Sequence, residues 1–525
     1  MAESGHPGVQ AMRTIWVPAS GEPLPKGSSI MRTNPISASP LLRAMSVALV
    51  SCIASLACAP AQAAVAPAPQ GAVGISIGTD LSVDTGFGID GFATADYNDD
   101  EGIQDEAVRV LAAADGGYWL VGFHRRSETA DRLAVARFDA DGHPDMAYGV
   151  DGKTTGPTDV SYIRDAILVG DRFYFAGLHI VGFRGIVAVG CANLDATPCA
   201  GFGEGGTVTL PINDEDHSSE ASHLLHRDGA LYIVGNTDPG GGFGSSSAIA
   251  VAKIDAATGA LDTAFGDGSG PFPGTSVFDP DIVPAAFDFA NAAAFAANGN
   301  LLVGGAAQDN DNSGSDAFVL SVDPATGALD TSFGDGGYTW FSTSDGVHFD
   351  HLDVRAIHVF DDGRILLAGN GNYDDEFFNS ITNVLLASVE PDGTPTATFG
   401  IGGMIRANVG INTEVQAMVV RPDGDIVVAM ASSGLLPNEY SPAIQQSMVQ
   451  FEPDGSGPTA TVSIEYPVAG DFPAQGRPVS MLVDSRDRVL VGGFALWEFV
   501  FPIPDAYHTL TRLVRDGVFA SGFEE

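Results

Sequence analysis

The sequence predicts an all-β fold, a seven-bladed β-propeller of four-stranded units of about 60 residues, preceded by a signal peptide. Three observations predict it. A short motif recurs along the chain, a hairpin pattern recurs seven times, and the composition is rich in glycine (65) and proline (31). Many short strands joined by glycine-rich turns give such a composition. Radial repetition covers the edges of so many strands.

The recurring motif is a Phe-Gly-x-Gly element that follows a polar turn. Its two clearest copies occupy residues 261–268 and 329–337. Weaker copies start at Val83, Met146, Cys199 and Thr396, and a seventh, near 459–462, has lost its glycines. A fixed period of this kind indicates a repeat protein, in which each unit buries its sheet faces against the next unit.

The number of hairpins in the sequence predicts the number of units. Each copy has an apolar strand, a tight turn and a second apolar strand that in most copies ends in glycine. The copies span residues 108–122, 163–177, 221–235, 290–304, 354–369, 415–430 and 479–492. From Gly122 to Gly492 is 370 residues over six intervals, about 62 per unit. Asp-Gly and Asn-Gly at the turns supply the positive φ angles that tight hairpins require.

Each hairpin is followed by an alternating strand, the Phe-Gly element and a further strand. The pattern places this further strand, for example residues 338–342, at the start of the next unit. We expect ring closure to build one sheet from both ends of the chain. Residues 73–77 are expected to be an extra strand, and residues 508–514 the last fourth strand.

These residues resemble the delta-60 repeat family of bacterial proteins. The resemblance rests on the element at 329–337, the Pro422-Asp423-Gly424 turn and the apolar strand ending at Ala368-Gly369, and it covers about residues 81–517. It implies a repeat fold and export. The family has no agreed biochemical activity, so the resemblance carries over no active site. Integrin-type FG-GAP repeats, which also form seven blades, are the alternative.

The start of the chain predicts export. Residues 1–30 are interpreted as disordered or as lying upstream of the true start, and residues 31–63 as a signal peptide. It has Arg32 and Arg43, an apolar run at 44–57, and Ala61-Gln62-Ala63 for cleavage. The apolar run is short for a membrane span. A lipobox-like stretch at 49–52 leaves a lipoprotein as an alternative.

The same sequence patterns predict how the chain is divided after the signal peptide. Residues 64–80 are assigned to a linker and closing strand, 81–517 to the propeller and 518–525 to a short tail. It keeps Cys191 and Cys199 across a turn. We expect a local disulfide in an oxidising compartment. Two thiols without further cysteines make a poor metal site.

The net charge of the chain limits the kinds of molecule that it can bind. The chain has 66 Asp+Glu against 24 Lys+Arg, a net charge of −42. Such a surface repels nucleic-acid phosphates and anionic membranes, and no later segment is apolar enough to span a membrane. The acidic surface keeps the chain soluble, or attracts divalent cations or basic partners. We expect a monomer with a protein or glycan partner, located in the periplasm, at the cell surface or outside the cell.

No linear motif supplies a catalytic, cofactor-binding or metal-ligating residue, so no site residue is predicted. Residues 309–316 space side-chain oxygens as a Ca²⁺ loop does, but Leu320 stands where an EF-hand has glutamate. The acidic stretches 96–101 and 374–376 are interpreted as loops. The histidines lack the HExxH spacing of zinc sites; they are His217, His223, His226, His348, His351 and His358.

Three functions stay open at this point. The leading one is a noncatalytic exported scaffold that binds through a propeller face. The alternatives are a secreted hydrolase or lyase acting on polysaccharide and a calcium-stabilised surface adhesin. Propeller enzymes assemble their sites from the inner strands of several blades, which no linear motif reveals. Titratable groups with shifted pKa values clustered there would favour the enzyme.

Overall fold

The computed structural model describes fifteen ranges, all within the compact unit Ala66–Glu525. They are residues 73–77, 81–97, 104–127, 130–182, 184–212, 217–238, 247–280, 287–308, 314–342, 350–374, 380–410, 412–434, 444–465, 475–498 and 505–515. Residues 1–63, the predicted upstream stretch and signal peptide, lie outside them. The regular elements in these ranges are β-strands. No helix among them has the length and apolarity that a membrane crossing needs.

The strands follow one another without helices between them in the described ranges. In chain order they are β1 (Val73–Ile77), β2 (Ser82–Val83), β3 (Phe92–Ala95), β4 (Gln104–Ala112), β5 (Tyr118–Ser127), β6 (Ala130–Phe138), β7 (Lys153–Pro157), β8 (Ser161–Val169), β9 (Arg172–Val181), β10 (Arg184–Asn193), β11 (Thr207–Thr209), β12 (Ser219–Arg227), β13 (Ala230–Thr237), β14 (Ala248–Asp255), β15 (Thr275–Phe278), β16 (Asp288–Phe295), β17 (Leu301–Gln308), β18 (Ser315–Val322), β19 (Tyr338–Phe341), β20 (Asp350–Leu352), β21 (Ala356–Val359), β22 (Ile365–Asp374), β23 (Ser380–Ile381), β24 (Val384–Val389), β25 (Met404–Ala407), β26 (Glu414–Val420), β27 (Ile426–Ser432), β28 (Gln445–Phe451), β29 (Ala460–Glu465), β30 (Gln475–Val483), β31 (Val489–Glu498) and β32 (Asp505–Val514).

These strands pair into four-stranded antiparallel sheets. We label the sheets units A (β4–β7), B (β8–β11), C (β12–β15), D (β16–β19), E (β21, β22, β24 and β25), F (β26–β29) and G (β30, β31, β32 and β3). Short strands extend some of them. β20 pairs with both β18 and β22 and so links units D and E. β1 adds a fifth strand to unit F by pairing with β29.

The two ends of the chain meet in unit G. Its first three strands come from the C-terminal end, and its fourth, β3, comes from the N-terminal end and pairs with β32. The expectations of a sheet shared by both ends and of a strand at 73–77 are confirmed, but the closing strand is β3 and not the strand at 73–77, which joins unit F. The assignment of 508–514 as a fourth strand is wrong, since β32 is the third strand and β3 takes the outer position.

The phase of the repeat also differs from the sequence pattern. The strand at 338–341 does not start a new sheet, because β19 pairs with β18 and completes unit D. Where the Phe-Gly element is present, it therefore lies inside a unit, just before the outer strand of that unit. The predicted hairpins all form. Their turns carry positive φ angles at Gly116, Gly170, Asp228, Gly229, Gly299, Gly363, Gly424 and Asp487.

The hydrophobic core lies between the sheets. Each buried apolar cluster combines side chains from two successive units, for example Trp119 and Val121 of unit A with Phe173 and Ile163 of unit B. The same holds between units G and A, where Leu490 and Leu510 pack with Leu120. A sheet that buries both faces in this way depends on both neighbours.

The Phe-Gly element is the second contact between successive units. Phe333 of unit D is buried against Gly393 of unit E, and the N–H of Gly334 donates to the carbonyl oxygen of Asp392 at 2.8 Å. Units B and C repeat this contact, which we call the Phe-Gly contact. Units G and A repeat it too, through Phe87 and Gly142. The most repetitive motif of the sequence thus joins one sheet to the next.

The junction between units F and G lacks this contact, and ion pairs occupy it instead. Here the sequence motif has lost its glycines. Arg421 of unit F donates to the Asp487 side chain at 3.0 Å and to its carbonyl oxygen at 2.7 Å. Arg515, after β32, donates to Asp425 of unit F at 2.9 Å and pairs with Asp423. Charge-assisted bonds therefore join the two units where the motif is degenerate.

Cys191 and Cys199 form a disulfide, as the sequence predicts. Cys191 lies in β10 and Cys199 follows the next turn, with 5.4 Å between their Cα atoms. Both are buried in the core between units B and C. The bond closes the turn that leads into the Phe-Gly element of unit B.

We expect the Phe-Gly contact to be sensitive to a single methyl group. A Cβ at Gly393 would lie 2.2 Å from the backbone nitrogen of Gly334, whereas a Cβ at Gly402 would meet nothing within 4 Å. Both glycines have positive φ. Gly402→Ala should therefore lower the free energy of unfolding by only about 1 kcal/mol. Gly393→Ala should lower it by about 2 kcal/mol more. Equal losses of free energy of unfolding in denaturant titrations would contradict this role of the contact.

Candidate functional site

The first strand of each unit lies innermost, and successive inner strands contact one another. The contacts run from β4 to β8, β12, β16, β21, β26 and β30, and from β30 back to β4. In most units a bulge interrupts the inner strand near its start. A bulge re-aims the side chain beside it.

Glycine on the second strand makes room for this bulge. In unit A, a Cβ at Gly122 would lie 2.0 Å from the carbonyl oxygen of Glu106. Gly235 stands in the same relation to Glu220, and Gly493 to Arg477. Unit F differs, since Met430 takes the place of the glycine opposite Val415. These glycines explain why the apolar second strands predicted in units A, B, C and E end in Gly.

The residue whose carbonyl faces this glycine occupies the same register in every unit. We call it the ring position, and its occupants in units A to G are Glu106, Tyr162, Glu220, Phe289, Asp353, Glu414 and Arg477. Each is half-buried, while the residues before and after it are buried. These side chains therefore reach solvent at the start of the inner strands. They are charged in units A, C, E, F and G, and aromatic in B and D.

Glu106 has the most distinctive electrostatic environment at the ring position. Burial raises the pKa of its carboxyl group above the usual value. The guanidinium groups of Arg125, Arg164 and Arg477 oppose the rise but do not cancel it. A carboxyl group with a raised pKa keeps its proton to a higher pH, and that property suits a general acid.

Next to Glu106, units A and B share a stack of charged and aromatic groups. Arg125 donates to Asp131 at 2.8 Å, and its guanidinium lies 4.1 Å from the ring centre of Tyr162. The N–H of Tyr162 donates to the same Asp131 at 2.6 Å. One carboxylate thus fixes both an arginine of unit A and a ring residue of unit B.

On the other side of Glu106, units E, F and G form a second charged group. Arg477 donates to Glu414 at 3.4 Å. Arg355 donates to Asp353 at 2.8 Å, and the pKa of Arg355 is raised, first by Asp353 and to a lesser extent by Glu414. The ring carboxylates of units E and F are therefore each paired with a guanidinium group.

Behind Glu106 lies a buried polar cluster at the seam between units G and A. Asp105 and His124 pair at 2.6 Å, and the N–H of Tyr97 donates to Asp105 at 3.0 Å. Burial raises the pKa of Asp105, against the opposing effect of His124. His508 is fully buried, packs against the Tyr97 ring at 5.0 Å and lies against the backbone of Glu106 and Phe123. Burial lowers its pKa to about 3, so it is neutral at pH 7.

Asp165 has a structural environment that contrasts with that of Glu106. It is buried, which alone would raise its pKa, yet Arg109 and His223 hold the pKa at about 2. It accepts from Arg109 of unit A at 2.8 Å and from the N–H of Leu224 of unit C at 2.9 Å. An ionised carboxylate of unit B therefore ties together three units.

The residues that the sequence analysis singled out lie elsewhere. Most of the 309–316 loop, and most of the acidic stretches 96–101 and 374–376, fall outside the described ranges, as does His348. His223 lies 3.8 Å from Asp165, and His358 packs on Phe360. Among the described residues, no group of three His, Cys, Asp or Glu side chains is arranged to hold a metal ion.

Sequence reasoning missed the ring position, although a signal for it exists. Each ring residue lies one or two positions before a predicted hairpin. Aligning the hairpins would have shown that this position is charged or aromatic in every unit, where the strand interior is apolar. What the alignment lacks is the closeness of Arg125, Arg164 and Arg477 to Glu106, which depends on packing between units.

No protein-family model and no curated protein matches the chain. The solved structures that it resembles include the polysaccharide lyase Uly1, with 10% identity over 78% of this chain and 89% of that one and a TM-score of 0.45. An α-L-arabinofuranosidase of Fusarium graminearum has 9% identity over 80% and 97%, and a TM-score of 0.38. The β-propeller domain of the Trilobed protease of Pyrococcus furiosus has 9% identity over 80% and 98%, and a TM-score of 0.35.

The buried His508 predicts an acid-sensitive seam. Its pKa is about 3 in the folded chain and about 6.5 when exposed. The unfolded chain therefore takes up a proton as the pH falls below about 6.5, and the folded chain does not until about pH 3. The stabilisation is present above pH 6.5 and is lost as the pH falls, by up to about 1.4 kcal/mol per pH unit.

This contribution is measured by comparing free energies of unfolding for the wild type and His508→Gln between pH 7 and pH 4.5. The difference between the two should shrink as the pH falls. His143→Gln removes an exposed histidine and should run parallel to the wild type. Parallel curves for His508→Gln as well would show that this residue does not set the pH dependence.

Proposed function

We propose that this chain is an exported seven-bladed β-propeller that hydrolyses polysaccharide, with Glu106 as the proton donor. The observation that carries the proposal is the raised pKa of Glu106, a half-buried carboxyl group at the ring position, which the charges of three arginines lower without cancelling the effect of burial. Burial of a catalytic carboxyl group lets it keep its proton to a higher pH than usual. This cluster favours the polysaccharide enzyme over a noncatalytic scaffold.

The seven-bladed arrangement is supported by the contacts between units. Inner strands contact one another from unit A through unit G and back to A, and the G–A seam has both a shared core and a Phe-Gly contact. We assign the chain to the delta-60 repeat family on its repeated residues. The inner strands of such a ring surround a central channel, and the ring position lies at one end of it.

Export is supported by the disulfide between Cys191 and Cys199, since such bonds persist in oxidising compartments. The proposal places the chain in the periplasm, at the cell surface or outside the cell. Its acidic surface keeps it soluble there. We propose that it acts as a monomer, because one chain supplies every residue of the ring position.

In the reaction, the carboxyl group of Glu106 donates its proton to the glycosidic oxygen as the bond between that oxygen and the anomeric carbon breaks. A water molecule attacks the anomeric carbon, and a second carboxylate accepts the proton that the water loses. The candidates for this role are the other ring carboxylates, Glu220, Asp353 and Glu414. The aromatic ring of Phe289 offers an apolar face for sugar contact, as ligand sites commonly do.

Glu106→Gln tests the proposal because glutamine keeps the shape of the side chain and cannot donate the proton. We expect kcat/KM on polysaccharide to fall about 10²–10⁴-fold. Aryl glycosides whose leaving groups need no proton should lose much less activity. The fall in activity of the wild type at high pH should also disappear in the variant. Release of reducing ends from a panel of polysaccharides measures the first effect.

Glu204→Gln is the matched control, because Glu204 is an exposed carboxylate on the Phe-Gly element of unit B. It should leave activity unchanged. Full activity of Glu106→Gln would remove Glu106 from the mechanism. Binding of glycans by the wild type without any cleavage would support the noncatalytic scaffold instead.

A further inference from the structure

The inner strand of unit B is distorted more than the others. In units A, C, D, F and G the register with the second strand skips one residue, but in unit B it skips from Ser161 to Asp165. Three residues, Tyr162, Ile163 and Arg164, therefore stand in the bulge. Tyr162 has a φ of +48°. A bulky residue is strained in that region, and such strain persists where the surroundings hold it, commonly at functional sites.

Two contacts with unit A hold this bulge in place. Asp131 of unit A accepts a hydrogen bond from the Tyr162 N–H at 2.6 Å and another from Arg125. Ile163, between the two polar residues of the bulge, is buried in the core between units A and B. The bulge is thus anchored by one hydrogen bond and one apolar side chain, and it presents Tyr162 and Arg164 beside Glu106.

The Tyr162 ring lies near two guanidinium groups, Arg125 at 4.1 Å and Arg164 at 5.9 Å from its centre. The two arginines differ in their partners. Arg125 donates to both oxygens of Asp131, at 2.8 and 3.3 Å. Arg164 lies 3.8 Å from Glu220, which is beyond hydrogen-bond distance, and its charge also acts on Glu106. Its side chain is 51% exposed.

We infer that Arg164 binds the carboxylate of an acidic sugar unit next to the glycosidic bond that Glu106 protonates. The inference rests on the proposed function and names the substrate class of the same site. A guanidinium group presents a planar fork of N–H donors that matches a carboxylate in two parallel hydrogen bonds. The unused donors of Arg164 are therefore a built receptor for a uronic acid.

The charge of the whole chain does not prevent this binding. The net charge of −42 repels an acidic polysaccharide at long range. At physiological ionic strength, however, exposed charges more than about 8 Å apart are largely screened. Within that distance Arg125 and Arg164 both lie beside the Tyr162 ring. A bidentate hydrogen bond from Arg164 to a substrate is also stronger than its present 3.8 Å contact with Glu220.

The test compares acidic oligosaccharides with their carboxyl-reduced, uncharged counterparts. The probes are oligogalacturonate, oligoguluronate, oligomannuronate and glucuronate-containing oligosaccharides, with a sulfated galactan oligosaccharide added. Binding is measured by calorimetry on the Glu106→Gln chain, so that cleavage does not interfere. We expect at least one acidic probe to bind about 10-fold more tightly than its reduced form.

Arg164→Gln, added to the same chain, should remove this preference. Affinity for the acidic probe should fall about 10-fold, or about 1.4 kcal/mol, with affinity for the reduced form within about twofold. Added salt should weaken acidic binding only where Arg164 is present. Arg172→Gln is the matched control, since Arg172 begins β9 at the other end of the same hairpin; it should change neither affinity.

Several results would overturn the inference. They are equal binding of acidic and reduced probes, preference for the sulfated probe alone, no binding of any probe, and unchanged affinity in Arg164→Gln. The proposed hydrolase fails by a different measurement. Cleavage of a neutral polysaccharide that depends on Glu106 would support the enzyme while rejecting an acidic substrate.

Discussion

The packing of one sheet against the next is the constraint on which the rest of this structure depends. Each unit has two apolar faces, and each buried cluster draws on two successive units. A single unit would leave both faces in water, so no unit is stable without its neighbours. The packing of unit G against unit A is therefore needed for the stability of both units. There Arg512 of unit G, itself held by a 2.6 Å bond to Asp84 next to β2, donates to the carbonyl oxygen of Ala140 of unit A at 2.6 Å.

The same constraint explains how the chain uses its few cations. Of 24 basic residues, three are lysine and 21 are arginine. Many of the arginines lie between units, as Arg109, Arg421 and Arg512 do, and donate hydrogen bonds to carboxylates or carbonyl oxygens. Arginine is suited to this because its guanidinium group is always charged and donates in several directions. The excess of carboxylates is left on the surface, where water screens it.

Chemical differences among the ring residues arise from this shared frame. The start of the inner strand, in most units with a bulge and a facing glycine, places one side chain per unit at the same level. What each side chain can do then depends on its neighbours in other units. Glu106 is half-buried beside three arginines and has a raised pKa, whereas the buried Asp165 is held ionised by Arg109 and His223. The repeated fold sets where the ring side chains lie. Departures from the repeat, such as the wider bulge of unit B, change the chemical environment of these side chains.

Much of the architecture was readable in the sequence because its causes are local. Turn glycines with positive φ, apolar strands of fixed spacing and two cysteines across one turn predicted the hairpins, the repeated unit and the disulfide. The outer strand of unit G and the phase of the Phe-Gly element were misassigned, because both depend on which strands pair across the chain. The cluster around Glu106 joins residues 106, 125, 164 and 477, so only the packing of units A, B and G brings them together. The sequence by itself determined the strands and their repetition. The tertiary structure alone decided the pKa of Glu106, since burial and the charges of Arg125, Arg164 and Arg477 meet at that carboxyl group only in the folded chain.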